Sequence, residues 1–148
     1  MMCAASGTAA SAAEPLALDP RLLVYEYSTG LILRPAQVEL VESRRKRSMF
    51  LEKVVYEANL NNATVCNIRS ETLAAGAYVG VISRAYKPPQ KVLTDAARLL
   101  VPGGRVVLLL GSQAALDAPA GWRIVDKHRY PVADGQRLRV VLERERDT

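Results

Sequence analysis

Residues 38–58 read VELVESRRKRSMFLEKVVYEA and predict a strand that leads directly into a helix. The apolar run Val38–Val41 is typical of a strand and ends at Glu42. Downstream of Arg44, apolar residues recur at the spacing of one helix face: Leu51, Val54, Val55 and Ala58. This stretch therefore predicts the start of a unit in which helices connect parallel strands.

The chain that follows repeats the alternation of strands and helices. Apolar segments at 64–68, 78–83 and 105–110 predict three strands, and the last two are apolar enough to be covered on both faces. A short helical turn at 71–75 separates the first two. A helix that opens with Pro88-Pro89 separates the second two, since proline suits the first helical turn.

The C-terminal part predicts two antiparallel strands. Trp122–Lys127 and Gln136–Glu143 flank Asp134-Gly135, a dipeptide that favours a tight hairpin turn. Together with the alternating elements, this predicts an α/β fold of the Rossmann-like kind. Its sheet is mostly parallel, with helices on both faces and an antiparallel C-terminal hairpin.

The N-terminal part is predicted to consist of a leader and a shortened first unit. Residues 1–15 are rich in alanine and predict a disordered leader, so residues 16–148 form the domain. Arg21–Tyr27 predicts a strand. Only ten residues, Ser28 to Gln37, separate it from the next strand. Because a parallel crossover usually needs about a dozen or more residues, the first βα unit is shortened.

Composition restricts the class of protein. The chain has 148 residues, 49% of them hydrophobic and 24% charged, which suits one globular domain. Its net charge of +5 admits a nucleic-acid partner. Two cysteines make no disulfide framework, which predicts a reducing, cytoplasmic location. No apolar run reaches about 18 residues, so no membrane span is expected. His128, the only histidine, has no ligand partners at metal-binding spacing.

Four motifs carry a resemblance to a known family. They are VELVESRRKRSMFL at 38–51, Arg69-Ser70-Glu71, Val81-Ile82-Ser83-Arg84-Ala85, and the PGGR turn at 102–105 before a strand. The chain resembles the RsmG family, also called GidB. These are methyltransferases that use S-adenosyl-L-methionine to methylate guanine N7 in small-subunit (16S) ribosomal RNA. The resemblance implies a class I methyltransferase sheet with a cofactor cleft at the carboxyl ends of its parallel strands.

The resemblance also implies which residues bind the cofactor. They are Gly30 in the first loop, Glu42 for the ribose hydroxyls, Ser70 and Glu71 beside the adenine, and Arg84. Arg84 is expected to hold the methionine carboxylate or an RNA phosphate. From the residues alone, Glu42 and Glu71 remain open to interpretation as solvent-exposed carboxylates, and Arg84 as a member of a structural ion pair. No residue is assigned a catalytic role.

Two groups of basic residues are candidates for RNA binding. Arg44, Arg45, Lys46 and Arg47 place four cations in the first turn of the predicted helix, where they oppose the helix dipole. An RNA phosphate backbone would offset this repulsion, and a solvated charge run is the alternative. A second group follows in the predicted hairpin: Arg123, Lys127, Arg129, Arg137 and Arg139.

The sequence departs from the family at three places, and two hypotheses follow. Of the family's glycine-rich loop only Gly30 remains, Val79 stands in place of an aspartate, and Leu110 in place of a lysine. The first hypothesis is a monomeric ribosomal RNA methyltransferase that acts on the small ribosomal subunit. The alternative is a non-catalytic or truncated relic of the fold that retains an RNA-binding surface.

Overall fold

A computed structural model describes residues 2–5, 37–84 and 87–146. The described strands are β1 (Met2–Ala5), β2 (Gln37–Val41), β3 (Ala63–Cys66), β4 (Tyr78–Arg84), β5 (Leu100–Leu110), β6 (Trp122–Val132) and β7 (Gly135–Arg144). The described helices are α1 (Arg45–Glu57), α2 (Pro89–Leu99) and the short 3-10 helix η1 (Ser70–Thr72). The strands form one seven-stranded sheet in the order β3-β2-β1-β4-β5-β7-β6.

The directions of the strands confirm the predicted fold class. β2 pairs with β3 in parallel, and so does β4 with β5. β7 lies antiparallel between β5 and β6. Since β1 is antiparallel to both β2 and β4, the strands β2 to β6 all run in one direction. The α/β class and the C-terminal hairpin are therefore as predicted, and five of the seven strands run in one direction. The sheet is nevertheless mixed, because β1 makes its two central pairings antiparallel.

The prediction of a disordered leader is wrong for Met2–Ala5. These four residues form β1 in the middle of the sheet, with Met2 opposite Leu40 of β2 and Ile82 of β4. The physical reason is that β2 and β4 each present a row of backbone N–H and C=O groups, which one extended segment pairs on both sides. The rest of the leader, the predicted strand Arg21–Tyr27 and the shortened first βα unit lie outside the described residues.

The two helices cover opposite faces of the sheet. The chain moves from β2 through α1 to β3 in one direction, and from β4 through α2 to β5 in the other. Because such crossovers are right-handed, the two helices lie on opposite faces. Val55 of α1 lines a groove with Val65, whereas Leu93 and Leu99 of α2 pack into the main core with Val81.

The strand β5 begins at Leu100, five residues earlier than predicted, because its pairing with β4 starts before the PGGR turn. Leu100 lies opposite Tyr78 of β4, and Arg105 lies opposite Gly80. More residues of β5 than of β4 fall between these two pairs, so that part of β5 forms a bulge. Gly103 has a φ of +78°. At Gly104 an added Cβ would lie 2.8 Å from the carbonyl oxygen of Val101. Glycine is thus required at both positions.

The hairpin is longer than predicted. β6 and β7 pair from Trp122 opposite Arg144 to Val132 opposite Gly135, and the turn between them is Ala133-Asp134. In the part of the chain that the structure describes, no helix is long and apolar enough to cross a membrane.

Candidate functional site

The residues predicted to bind a cofactor lie at one edge of the sheet. Glu42 directly follows β2, Ser70 and Glu71 lie in η1 after β3, and Arg84 is the last residue of β4. The three strands run in the same direction, so these positions share their carboxyl edge. β1 separates β2 from β4, which places Glu42 and Arg84 about 10 Å apart along the edge. Gly30 lies outside the described residues.

Glu42 is held in place by its neighbours at the end of β2. One carboxylate oxygen accepts a hydrogen bond from the backbone N–H of Arg44 at 2.8 Å, and the other lies 3.9 Å from the guanidinium of Arg47. The side-chain amide of Asn67 donates to the Glu42 carbonyl at 2.8 Å. The side chain of Glu42 remains 22% exposed, so its carboxylate is oriented and still open to a ligand.

Glu42 also explains how α1 tolerates the four cations at its start. The residue at the N-cap is Arg44, whose side chain makes no capping bond, and the first turn contains no acidic residue. The carboxylate of Glu42 supplies the missing negative charge two residues before the cap. The side chains of Arg44, Arg45 and Lys46 are exposed, and no hydrogen bond or ion pair joins them to a described residue. They are the cations of this turn that remain available to an external anion.

The segment that carries Ser70 and Glu71 is fixed by a basic residue of α2. The guanidinium of Arg98 donates to the carbonyl oxygens of Leu73 at 2.6 Å and Ser70 at 2.8 Å. Ser70 is 1% exposed, while Glu71 next to it is exposed. Backbone groups of η1 are thus held rigidly beside β3. Sequence analysis did not identify Arg98, because nothing in its local pattern distinguishes it from a solvated residue in the last turn of a helix.

Glu71 is engaged by a lysine that sequence analysis also missed. The ammonium group of Lys87 donates to Glu71 at 2.7 Å and to Asp95 of α2 at 2.8 Å. The hydrogen bond from Lys87 is the main cause that lowers the pKa of Glu71 below the ordinary value. Lys87 therefore links η1 to α2 and keeps the Glu71 carboxylate ionised. Its distance in sequence from both partners hid this role.

Substitution Lys87→Gln is expected to raise the pKa of Glu71 towards the ordinary glutamate value. In the native protein, the pKa of Glu71 is lower in the folded state than in the unfolded state. The ion pair therefore stabilises the fold above the unfolded pKa and ceases to do so as the pH falls through the folded pKa. A pH titration followed by NMR of the Glu71 side-chain carboxyl measures this shift. Lys91→Gln, an exposed lysine of α2, is the control and should leave the titration unchanged. An unchanged titration in Lys87→Gln would show that the ion pair is absent in solution.

The side chain of Arg84 bonds to no described residue. It is exposed, and its place at the end of β4 is level with Leu109 of β5. The alternative of a structural ion pair is therefore not observed among the described residues. A guanidinium with five N–H donors in this position can bind a carboxylate or a phosphate.

The cations of the hairpin do not form one group. Arg139 is 5% exposed and pairs with Asp126, so it belongs to the interior of the protein. Arg123 pairs with Glu143 at 2.8 Å, and Arg137 with Asp134 at 3.1 Å. Burial opposes the ionisation of Glu143, but hydrogen bonds from Arg105 and Arg123 outweigh it and lower its pKa.

Lys127 and Arg129 instead bond to neutral groups. Lys127 donates to the carbonyl oxygen of Leu116 at 3.2 Å. Arg129 donates to the carbonyl oxygens of Ser112 at 2.8 Å and Ala114 at 3.3 Å. These bonds tie the loop that follows β5 to the edge strand β6.

The described residues contain no other group suited to covalent or metal chemistry. The thiol of Cys66 is half-buried, and burial, together with the nearby charge of Glu39, raises its pKa. It is therefore protonated rather than an activated nucleophile. No three His, Cys, Asp or Glu side chains among these residues are grouped so as to hold a metal ion.

Comparison with known sequences identifies relatives that share most of this chain. Residues 30–129 match the family model described as rRNA small subunit methyltransferase G. Ribosomal RNA small subunit methyltransferase G of Xanthomonas campestris pv. campestris (strain B100) is 32% identical over an alignment of 121 residues that covers 77% of this chain. The protein of the same name from Acidothermus cellulolyticus is 31% identical over an alignment of 128 residues that covers 82% of this chain. In both matches, the chain spans 57% of the length of the relative.

Solved structures with the same fold are methyltransferase-like proteins of low sequence identity. TrmN from Thermus thermophilus aligns with 83% of this chain and 40% of its own, with a TM-score of 0.56 and 17% identity. M. jannaschii TYW2 in complex with AdoMet aligns with 74% of this chain and 57% of its own, with a TM-score of 0.52 and 16% identity. These likenesses concern the fold alone.

Proposed function

The chain belongs to the rRNA small subunit methyltransferase G family, and on this basis we propose that it binds S-adenosyl-L-methionine and methylates ribosomal RNA. The target we propose is guanine N7 in the RNA of the small ribosomal subunit. The protein acts as a monomer in the cytoplasm. The chain spans 57% of the length of the two relatives described above. Methyl transfer by the whole protein is therefore proposed here and does not follow from membership of the family alone.

The observation that carries the proposal is the grouping of Glu42, Glu71 and Arg84 at the carboxyl edge of the sheet. Two oriented carboxylates and one guanidinium without a described partner lie at the ends of β2, β3 and β4. In open α/β sheets, ligands bind in the crevice outside the carboxyl ends of the strands. The strand order reverses between β1 and β4, which is where such a crevice forms.

The residues present fit three polar groups of S-adenosyl-L-methionine. Its ribose offers two hydroxyl donors, and Glu42 has a carboxylate that is open to a ligand. Its adenine offers an amino group. The exposed carboxylate of Glu71 or a backbone carbonyl near Ser70 can accept a hydrogen bond from that group. Its carboxylate suits Arg84. The bound cofactor supplies a methyl group attached to a positively charged sulfur.

The role of this chain in the reaction is to bind and align. Guanine N7 has a lone pair and no proton, so its methylation needs no general base in the protein. Holding N7 in line with the methyl group converts a bimolecular step into an effectively unimolecular one. Glu42 would hold the ribose of the cofactor and Arg84 its carboxylate. Arg44, Arg45, Lys46 and Arg47 attract the RNA backbone to the neighbouring end of the edge.

Calorimetric titration of the protein with S-adenosyl-L-methionine tests the proposal. We expect saturable binding that Glu42→Ala weakens about 10- to 100-fold, since hydrogen bonds to a charged group contribute about 1.5–3 kcal/mol each. Glu52→Ala is the matched control: it removes an exposed carboxylate from the middle of α1 and should leave the affinity unchanged. Transfer of a labelled methyl group to small-subunit RNA completes the test. A protein that binds RNA but no cofactor would contradict the proposal.

A second candidate function is RNA binding without methyl transfer, and the direction of β1 favours it. Met2, at the start of β1, is level with Leu40 and Ile82 near the carboxyl edge. The chain therefore leaves β1 at the opposite edge, away from Glu42 and Arg84. A glycine-rich loop can contact the cofactor only where it follows a strand that ends at the cofactor edge. β1 ends at the opposite edge, so it cannot position such a loop. RNA binding by a chain that shows no heat of cofactor binding would identify this function.

A further inference from the structure

The electrostatic state of the hairpin cations divides them into two kinds. Three of the five Lys and Arg residues from Arg123 to Arg139 pair with carboxylates, although Arg123 shares Glu143 with Arg105. Lys127 and Arg129 bond only to backbone carbonyls among the described residues. A carbonyl oxygen fixes the position of a cation and leaves its net charge in place. These two exposed side chains are therefore oriented positive charges.

Donor capacity leaves room for an anion at both side chains. A guanidinium has five N–H donors and an ammonium group has three. Arg129 uses two of its donors on Ser112 and Ala114, and Lys127 uses one on Leu116. Three donors remain on Arg129 and two on Lys127. A phosphate can accept them without breaking the bonds that hold the loop.

The first part of the loop, residues 111–116, is well anchored. It contains no carboxylate, since Asp117 comes after it, and Leu116 at its end is buried in the core at 4% exposure. The N–H of Ala114 donates to the carbonyl oxygen of Gly111 at 3.2 Å, which closes a turn. Because the loop is held by both packing and hydrogen bonds, an anion that binds there orders little additional chain.

The register of the sheet places these cations at the same edge as Arg84. Lys127 pairs with Val140, which is level with Leu108 and, across β5, with Ser83. Arg129 pairs with Leu138, level with Leu110 at the end of β5. Three strand spacings, about 14 Å, separate β6 from β4. The cations of α1 lie on the other side of Arg84, beyond β2.

We propose that Lys127 and Arg129, with the loop 111–116 that they hold, form a second phosphate-binding surface for RNA. This hairpin-loop surface and the start of α1 flank Arg84 on opposite sides, about 24 Å apart along the edge. An RNA segment bound to both crosses the position of Arg84, so that an unstacked base faces the site between them. The inference rests on the proposed function, because it takes RNA as the substrate.

The experiment measures binding of a fluorescein-labelled single-stranded RNA oligonucleotide by anisotropy over a range of salt concentrations. The variant Lys127→Gln/Arg129→Gln is expected to bind about tenfold more weakly at low salt. Its slope of log affinity against log salt should be smaller by about 1.4, which corresponds to two lost phosphate contacts on a single strand. Circular dichroism and thermal melting establish that the variant remains folded.

Two control variants separate a local contact from other effects. Lys53→Gln/Arg146→Gln removes the same net charge from exposed positions elsewhere, and it should bind RNA within about twofold of the native protein with an unchanged slope. Arg129→Lys keeps the charge that attracts a phosphate but not the two-carbonyl geometry, and it should also bind within about twofold.

Each outcome has a definite meaning. Equal losses in the two double variants would overturn the inference, because net charge alone would explain them. A loss in Arg129→Lys as large as that in the glutamine variant would also overturn it, because loop anchoring would then be the cause. A native protein that binds no RNA at low salt would contradict the proposed function itself. RNA binding that the glutamine variant leaves unchanged would contradict only the inference.

Discussion

Substitution of Ala4 by proline is expected to lower the free energy of unfolding by about 3 kcal/mol. Ala4 lies in the middle of β1, opposite Val38 of β2 and Gly80 of β4. Proline has no backbone N–H and cannot take part in a ladder on both sides of a central strand. β1 is the strand that joins β2 and β3 to the rest of the sheet, so the loss is expected to affect the whole fold. Urea denaturation followed by circular dichroism measures it.

Ala4→Gly is the matched control for this prediction. It keeps the backbone N–H and removes only a methyl group, so the expected cost is about 0.5–1 kcal/mol. A proline variant as stable as the glycine variant would show that Met2–Ala5 does not form a central strand in solution. That result would also remove the structural support for RNA binding without methyl transfer.

Asp126→Ala is expected to destabilise the protein by about 3 kcal/mol, because it deprives a buried arginine of its carboxylate partner. Arg139 is 5% exposed, whereas the side chain of Asp126 is 48% exposed. The penalty therefore arises from the charge of Arg139, which cannot reach water easily. Thermal and chemical unfolding of the variant measure the loss.

The double variant Asp126→Ala/Arg139→Met tests this explanation. Methionine fills a similar volume without a charge, so most of the stability lost in Asp126→Ala should return, to within about 1 kcal/mol of the native protein. Arg123→Ala, which removes a 61% exposed partner of Glu143, should cost less than about 1 kcal/mol. A double variant that is no more stable than Asp126→Ala would show that the burial of a charge is not the cause.

The elements that the sequence predicted well are those whose burial pattern is local. The apolar spacing of α1 and the apolar runs of β4 and β5 predict their type directly. In α1 the spacing predicts the helix but not its burial, since Ser48 is its buried residue and Val54 is 37% exposed. Glu42 and Arg84 were assigned to one edge because parallel strands end on the same side of a sheet. The predicted leader failed at Met2–Ala5, since a short segment of small residues carries no pattern of its own, and its strand exists only through its two neighbours.

The partners of the polar side chains required the tertiary structure. Composition and spacing already indicate a basic α/β protein with charged residues at its strand ends. They do not distinguish Arg139, which is buried against Asp126, from Arg129, which keeps its charge at the surface. Both lie in the same strand–turn–strand pattern. Their difference arises from the register of β6 against β7 and from the loop after β5, because a charge is neutralised or left open by groups distant in sequence.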